Sequence, residues 1–249
     1  MFFLNTPYIP EKQIKSVIVD YRIDTEIESM LIDNEIEVIK SCQCADLYES
    51  IKGHPDIHIH HVSSDRIVVA PNVFSYYKSV LSKKGFALIE GDTWLSRNYP
   101  ENIAYNVLRI SNLAFHNTKY TDRKVKTELD KYGIRLIHVN QGYAKCSVCI
   151  LDKNTAITSD KKLKDELEKN NIECLYINPG GIVLKGLDYG FIGGATGLLD
   201  SKIIAVTGDF SNLKDYNIIM QFLIQKGFIV KLLSKKQIID LGSIIPLRY

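Results

Sequence analysis

Apolar and polar positions recur along the chain in one repeating order. A short β-branched run ends in a small or turn residue, a helical pattern follows, a glycine or asparagine interrupts it, and a second apolar run begins at once. The first runs lie at 17–20, 67–72, 108–112, 156–160 and 203–209. Each carries an Asp or Asn at its exit (Asp20, Asn72, Asn112, Asp160, Asp209), expected to cap the next helix by accepting from free N–H groups. Helical spacing is clearest at Leu163 and Leu167, and at Ile218, Ile219, Phe222 and Leu223. Gly85, Gly133, Asn171 and Gly227 stop the helices of copies two to five, and Asn34-Glu35 stops the first. Gly and Asn tolerate the left-handed conformation that closes a helix. The second runs follow at 36–39, 86–89, 134–137, 172–175 and 228–231.

The linkers between copies hold further strand patterns, at 57–62, 144–151 and 191–199, each leading through a polar turn into the next first run. The unit is therefore strand–strand–helix–strand, repeated five times. For copy one the missing strand lies at 241–247, so the two chain ends meet and the repeats close on themselves. The rival arrangement is a doubly wound α/β sheet. It predicts no pairing of the ends and favours a glycine-rich phosphate loop after the first strand, where this chain has Val19-Asp20-Tyr21-Arg22.

Composition removes several function classes. The chain has 249 residues, 45% hydrophobic and 24% charged, enough for one large domain, and residues 1–249 are read as a single one. A net charge of +2 with mixed signs gives no basic face for nucleic acid. Met1-Phe2-Phe3-Leu4 is apolar, but Asn5 follows, so neither a signal peptide nor a membrane span is expected. Five cysteines without a secretory signal suit reduced thiols in the cytosol, and a cytoplasmic location is expected.

Two short stretches carry candidate chemistry. One is Gly142-Tyr143-Ala144-Lys145-Cys146-Ser147, which delivers a cysteine into the apolar run of a linker. The other is His54-Pro55-Asp56, which opens the linker before copy two. Five strand–strand–helix–strand units in a ring resemble the pentein fold, the five-bladed α/β propeller of guanidino-group-modifying enzymes such as arginine deiminase and dimethylarginine dimethylaminohydrolase. The resemblance covers essentially 16–247. His54-Pro55-Asp56 resembles the family's His-x-Asp motif, and the glycine-led segment resembles the one ending in the nucleophilic cysteine. The two motifs lie two blades apart, as they do in the family. The cysteine usually lies near the C-terminus, so the resemblance implies a chain rotated by about two blades, an apparent circular permutation that adjacent ends tolerate.

The resemblance implies a cysteine-dependent hydrolase or amidinotransferase acting on a small guanidine or amidine, with no cofactor and no metal. Cys146 would be the nucleophile, His54 the general acid and base, and Asp56 the carboxylate that orients the guanidinium. A covalent thiouronium would link the two halves of the reaction. Two acidic motifs of the family are not matched: 190–196 has no acid, and the following blade offers Asp240 with only Ser243 where a second acid would stand. Asp240 is a second candidate carboxylate. His138 and Asn140, at the end of copy three's last strand, are candidates for the rim of the channel.

Other readings of the same residues stay open. Cys146 and Cys149 are each equally small apolar side chains suited to a core, and their Cys-x-x-Cys spacing has no second pair to complete a zinc site. His58 and His60 fall on one strand face with Asp56 by the period-two rule, which suits substrate contact, a polar channel or a metal. Gly193-Gly194 permits close approach of a ligand or of a neighbouring backbone. Trp94 suits packing, and the lysines at 161–164 suit a solvated helix face. A different class of reading is a non-catalytic pentein that acts through its surface, as the ribosome anti-association factor does. Oligomeric state is left open.

Overall fold

In the computed structural model, which describes residues 2–249, the helix-stop residues take up the conformation their chemistry allows. Glu35, Gly85, Gly133, Asn171 and Gly227 all have positive φ, from 59° to 89°. Each turn sends the chain directly into a strand that runs parallel to the one before the helix.

The result is five three-stranded sheets of one topology. Unit one contains β1 (Ser16–Val19), α1 (Thr25–Ile32) and β2 (Glu37–Lys40). Unit two contains the helical turn α2 (Pro55–His58), β3 (Ile59–Ser63), β4 (Arg66–Val69), α3 (Phe74–Leu81) and β5 (Ala87–Glu90). Unit three contains β6 (Leu108–Ile110), β7 (Leu113–His116), α4 (Arg123–Lys131) and β8 (Arg135–His138). Unit four contains the helical turn α5 (Ala144–Ser147), β9 (Val148–Ile150), β10 (Thr155–Thr158), α6 (Lys161–Lys169) and β11 (Glu173–Tyr176). Unit five contains a 3-10 turn (Gly193–Ala195), β12 (Thr196–Asp200), β13 (Ile203–Val206), α7 (Tyr216–Gln225) and β14 (Ile229–Leu232). In every sheet the middle strand pairs antiparallel with the linker strand and parallel with the strand after the helix.

Unit one borrows its linker strand from the far end of the chain. β15 (Ile245–Arg248) runs antiparallel to β1, with Val17 opposite Pro246 and Ile18 opposite Ile245. The middle strands β1, β4 and β10 are buried along most of their length, whereas the outer strands β2, β5, β8, β11 and β14 are largely half-buried or exposed. That gradient follows from apolar burial: the middle strands are sandwiched, and the outer ones are edges. No helix among the described residues is long and apolar enough to cross a membrane.

Three expectations fail locally. The run at 108–112 is not the middle strand of unit three. It is the antiparallel linker strand β6, and β7 is the middle one. Ser111 adopts φ 52° in the tight turn between them, so Asn112 sits in a hairpin rather than at a helix start.

The strand-exit acids are mostly not caps. Asp24, Asp122 and Asp160 are the residues whose side chains accept from the first turns of α1, α4 and α6. Asp20 instead lies buried against the Arg22 guanidinium at 2.9 Å, Asn72 bonds Asp46 and Leu95, and Asp209 closes its own turn with Ser211. Finally, the linkers do not begin as strands. Residues 55–58, 144–147 and 193–195 are helical turns, which re-aims every side chain on them.

Candidate active site

The two turns α2 and α5 are tied together by one buried side chain, Asn106. Its Oδ1 accepts from the backbone N–H groups of Lys145 (2.9 Å) and Cys146 (3.1 Å). Its Nδ2 donates to the Asp56 carbonyl and lies 3.0 Å from Cys146 Sγ. A single amide thus satisfies both turns, and leaves the Cys146 thiol facing the Asp56 carboxylate. The thiol donates to Asp56 Oδ2 at 3.1 Å.

Asp56 Oδ2 also accepts from the Ser243 hydroxyl at 2.6 Å, and that hydroxyl accepts from the Lys145 ammonium at 2.9 Å. Lys145 is itself buried, with its Nζ 5.3 Å from the ring centre of Tyr8. A buried cation therefore stands two hydrogen bonds behind the Asp56 carboxylate. Asp56 Oδ1 has no partner.

His54 lies beside Asp240, with Nδ1 3.8 Å from Asp240 Oδ1. Both imidazole nitrogens lack a hydrogen-bond partner although the residue is only 1% exposed. Such groups are rare in interiors. Asp240 is fixed by the backbone N–H groups of Phe191 (2.8 Å) and Gly242 (3.0 Å). Gly242 has φ 67°, and a Cβ there would collide with His54, so the turn under the imidazole requires glycine.

The electrostatics are those of a buried thiol facing two carboxylates. Burial pushes the Cys146 thiol well above its ordinary pKa, and the Asp56 and Asp240 carboxylates add to the shift. Burial also raises Asp240, with the His54 charge opposing and Asp56 reinforcing. A cysteine in this setting is a thiol until positive charge arrives.

Cys146, His54 and Asp240 line a cavity of about 250 Å³ whose walls include Tyr48, Tyr143 and Phe191. One ligand atom each from His54, Asp56 and Cys146 lies within 4.8 Å of the others.

The structure brings together Cys146, His54, Asp56 and Asp240, and separates the other candidates. Because α2 is helical, Asp56, His58 and His60 do not share a strand face. His58 is fully buried between the Tyr77 hydroxyl (3.1 Å) and the Lys52 carbonyl (3.0 Å), and burial lowers its pKa to about 3. His60 is likewise buried and held neutral.

His138 and Asn140 bond to each other at 3.2 Å and line a different cavity, shared with Asp160 and Lys162. They end an outer strand, so that register position lies at the periphery. Gly193 and Gly194 admit neighbouring protein rather than a ligand: a Cβ would strike the Lys145 and Cys146 carbonyls from the first, and the Asp240 carboxylate from the second. Asn106 emerges only from the structure, as do the contacts of Lys145, Ser243 and Tyr143. The one signal for Asn106 was a lone amide inside an apolar stretch.

The chain belongs to a family of unknown function (DUF6873), whose model matches residues 18–245. No curated protein matches the sequence. Solved structures share its fold. The inosamine-phosphate amidinotransferase StrB1 from Streptomyces griseus aligns with a TM-score of 0.59 at 11% identity, covering 93% of this chain and 91% of that one. Agmatine deiminase from C. jejuni aligns with a TM-score of 0.56 at 12% identity, covering 98% and 96%. DDAH from Pseudomonas aeruginosa, in complex with citrulline, aligns with a TM-score of 0.55 at 8% identity, covering 89% and 92%. The α/β architecture of repeated units is thus that of the pentein fold, and it carries a buried His–Asp–Cys cluster.

Proposed function

We propose that this chain is a cysteine-dependent hydrolase or amidinotransferase acting on a small guanidine or amidine, and that residues 1–249 form one pentein domain closed as a five-bladed ring, rotated by two blades relative to the family's usual order. The observation that carries the reading is the Cys146 thiol held 3.1 Å from Asp56 Oδ2, beside a partnerless His54, on the floor of a cavity.

A guanidinium is flat, cationic and delocalised. Asp56 and Asp240 supply the negative charge that holds it, and its arrival offsets the two carboxylates that keep Cys146 protonated. His54 takes the thiol proton. The thiolate attacks the central carbon, forming a C–S bond as the C=N electron pair moves to nitrogen. Collapse breaks a C–N bond, and the leaving amine takes the proton back from His54, which leaves a thiouronium on Cys146. Water, deprotonated by His54, then adds to the carbon and the C–S bond breaks, restoring the thiol state. An acceptor amine in place of water makes the same site a transferase.

The test is a matched pair of alkylating agents, chloroacetamidine and its neutral counterpart chloroacetamide. The amidine carries the positive charge the site lacks. It is expected to label Cys146 at least about tenfold faster relative to a free thiol, since one charge contact in a partly buried site supplies several kcal/mol. Equal relative rates, or no labelling of Cys146 before unfolding, would remove the proposal.

A further inference from the structure

Lys145 and Arg109 are both buried cations, and only the first is linked to an anion. Lys145 reaches the Asp56 carboxylate through Ser243. Arg109 leaves β6 with 5% of its surface exposed, and its Nε donates to the Val62 carbonyl of β3 at 3.2 Å. The register of β3 shifts at that residue, between His61 and Ser63. Among the described residues, Arg109 forms no ion pair with a carboxylate. The ionisable group that acts on it is the Tyr8 phenol, which burial keeps protonated. Burial pulls the Arg109 pKa down to about 10, as it does for a cation without a counter-charge.

The polar atoms around Arg109 are unpaired as well. Among the described residues, eleven buried side-chain nitrogens and oxygens lack a partner; three belong to His54 and Asp56, and five to His60, His61, Ser63 and Arg109 Nη1. One such atom alone says little, but five on β3 and on the arginine that reaches it set this spot apart. The Arg109 charge is felt by His60, His61 and Tyr8 alike. Neutral His60 has one N–H to give. His61 has none, because its Nε2 lies 3.2 Å from the Ser64 carbonyl, which assigns the proton there and leaves Nδ1 an acceptor. The Tyr8 hydroxyl accepts from the His61 main-chain N–H at 3.3 Å and keeps its own proton to donate.

We propose that Arg109 holds a small monovalent inorganic anion, of the size of chloride, where β6 meets β3, with the His60 ring as a second donor. A buried charge is costly unless it is paired. A water would satisfy the donors and leave the charge; an anion answers both. No residue of this cluster lines the cavity over Cys146, so the proposal stands apart from the guanidine reading. An ion here ties β3 to β6. The turn that carries Asp56 runs into β3, and Asn106 stands just before β6, so the same tie steadies the bond from Asn106 to the Asp56 carbonyl.

The test uses the full chain and needs no substrate. Urea denaturation is followed as chloride replaces the bulky anion gluconate at constant ionic strength. The midpoint is expected to climb and then level off, and chloride at about 100 times its Kd should raise the folded-to-unfolded ratio about 100-fold. Arg109→Met is expected to remove the dependence. Crystals of the native chain grown in bromide locate the ion by anomalous scattering, with a peak expected beside the Arg109 guanidinium. The absence of that peak overturns the proposal, and it decides the matter even where Arg109→Met does not fold. A peak there with a midpoint indifferent to chloride means an adventitious ion only, and overturns it equally.

Discussion

The linker turns of units two and four and the linker turn of unit five occupy the same place in their repeats but carry opposite kinds of residue. Pro55–His58 presents Asp56, and Ala144–Ser147 presents Cys146, and the two side chains meet under the cavity that Cys146 lines. Gly193–Ala195 presents no functional side chain, and its backbone fills the space instead, with the Gly193 carbonyl 2.8 Å from the Ser243 hydroxyl oxygen. One backbone device thus serves two ends. Where a side chain is present the turn delivers chemistry. Where it is deleted the turn becomes the wall against which that chemistry is held.

This contrast breaks most sharply on the chemical side. Cys146→Ala is expected to reduce turnover of any guanidine substrate to background, and His54→Gln to lower it by about 100-fold or more, the usual scale for a lost acid–base group. Both are expected to stay folded, each losing about 0.5–3 kcal/mol of unfolding free energy, the usual range for one buried substitution. Steady-state rates and urea denaturation on the same preparations check both halves. A cysteine variant that kept turnover would end the comparison.

Next in size is the addition of a side chain to the turn that lacks one. Gly194→Ala would drive a methyl into the Asp240 carboxylate, and Gly193→Ala into the carbonyls of Lys145, Cys146 and Val148. Each is expected to cost about 1–3 kcal/mol by overpacking. The two differ in their cure. Asp240→Ala should restore stability to Gly194→Ala, since the obstacle there is a side chain. No truncation should rescue Gly193→Ala, whose obstacles are backbone atoms. Denaturation midpoints of the singles and of the double variant decide it.

A third effect concerns buried histidines that do not belong to the site. Burial holds His58 to about 3, and His61 and His116 to about 4, against an ordinary 6.5. Their folded-state values lie below the unfolded one, so the stability tied to their neutrality is complete above pH ~6.5 and is lost as pH falls toward ~4. Denaturation free energy should therefore decline steadily below pH ~6.5, and substituting His58 with Gln should flatten part of that decline. A flat profile over this range would contradict the burial of these rings.

The legible parts of the sequence were those set by local chemistry. A glycine or asparagine after a helical run announces a left-handed stop wherever it occurs, and all four such residues adopt one here. The need of β1 for an antiparallel partner pointed to the far end of the chain, where β15 supplies it. Cys146, His54, Asp56 and Asp240 were reached through motif and repeat position, and they meet.

The illegible parts were those that tertiary packing decides. In 108–116 two apolar runs flank Ser111-Asn112, and either satisfies a strand pattern, so the middle strand was placed one strand too early. A single helical turn of four residues has no periodicity to detect, which hid the true directions of Asp56 and His58. Asn106 shows only as a polar residue among apolar ones, and its four contacts depend on two segments distant in sequence.

The pairing of β1 with β15 also sets a timetable. During synthesis, residues 16–19 emerge early but cannot complete their sheet until residues 245–248 follow. Asp240, Gly242 and Ser243, which hold the floor of the cavity, travel with that last segment. A chain that stops before residue 240 can build most of its sheets, yet it has neither the carboxylate beside His54 nor the hydroxyl against Asp56. Completion of the first sheet and completion of the cavity floor are then tied to one stretch of chain.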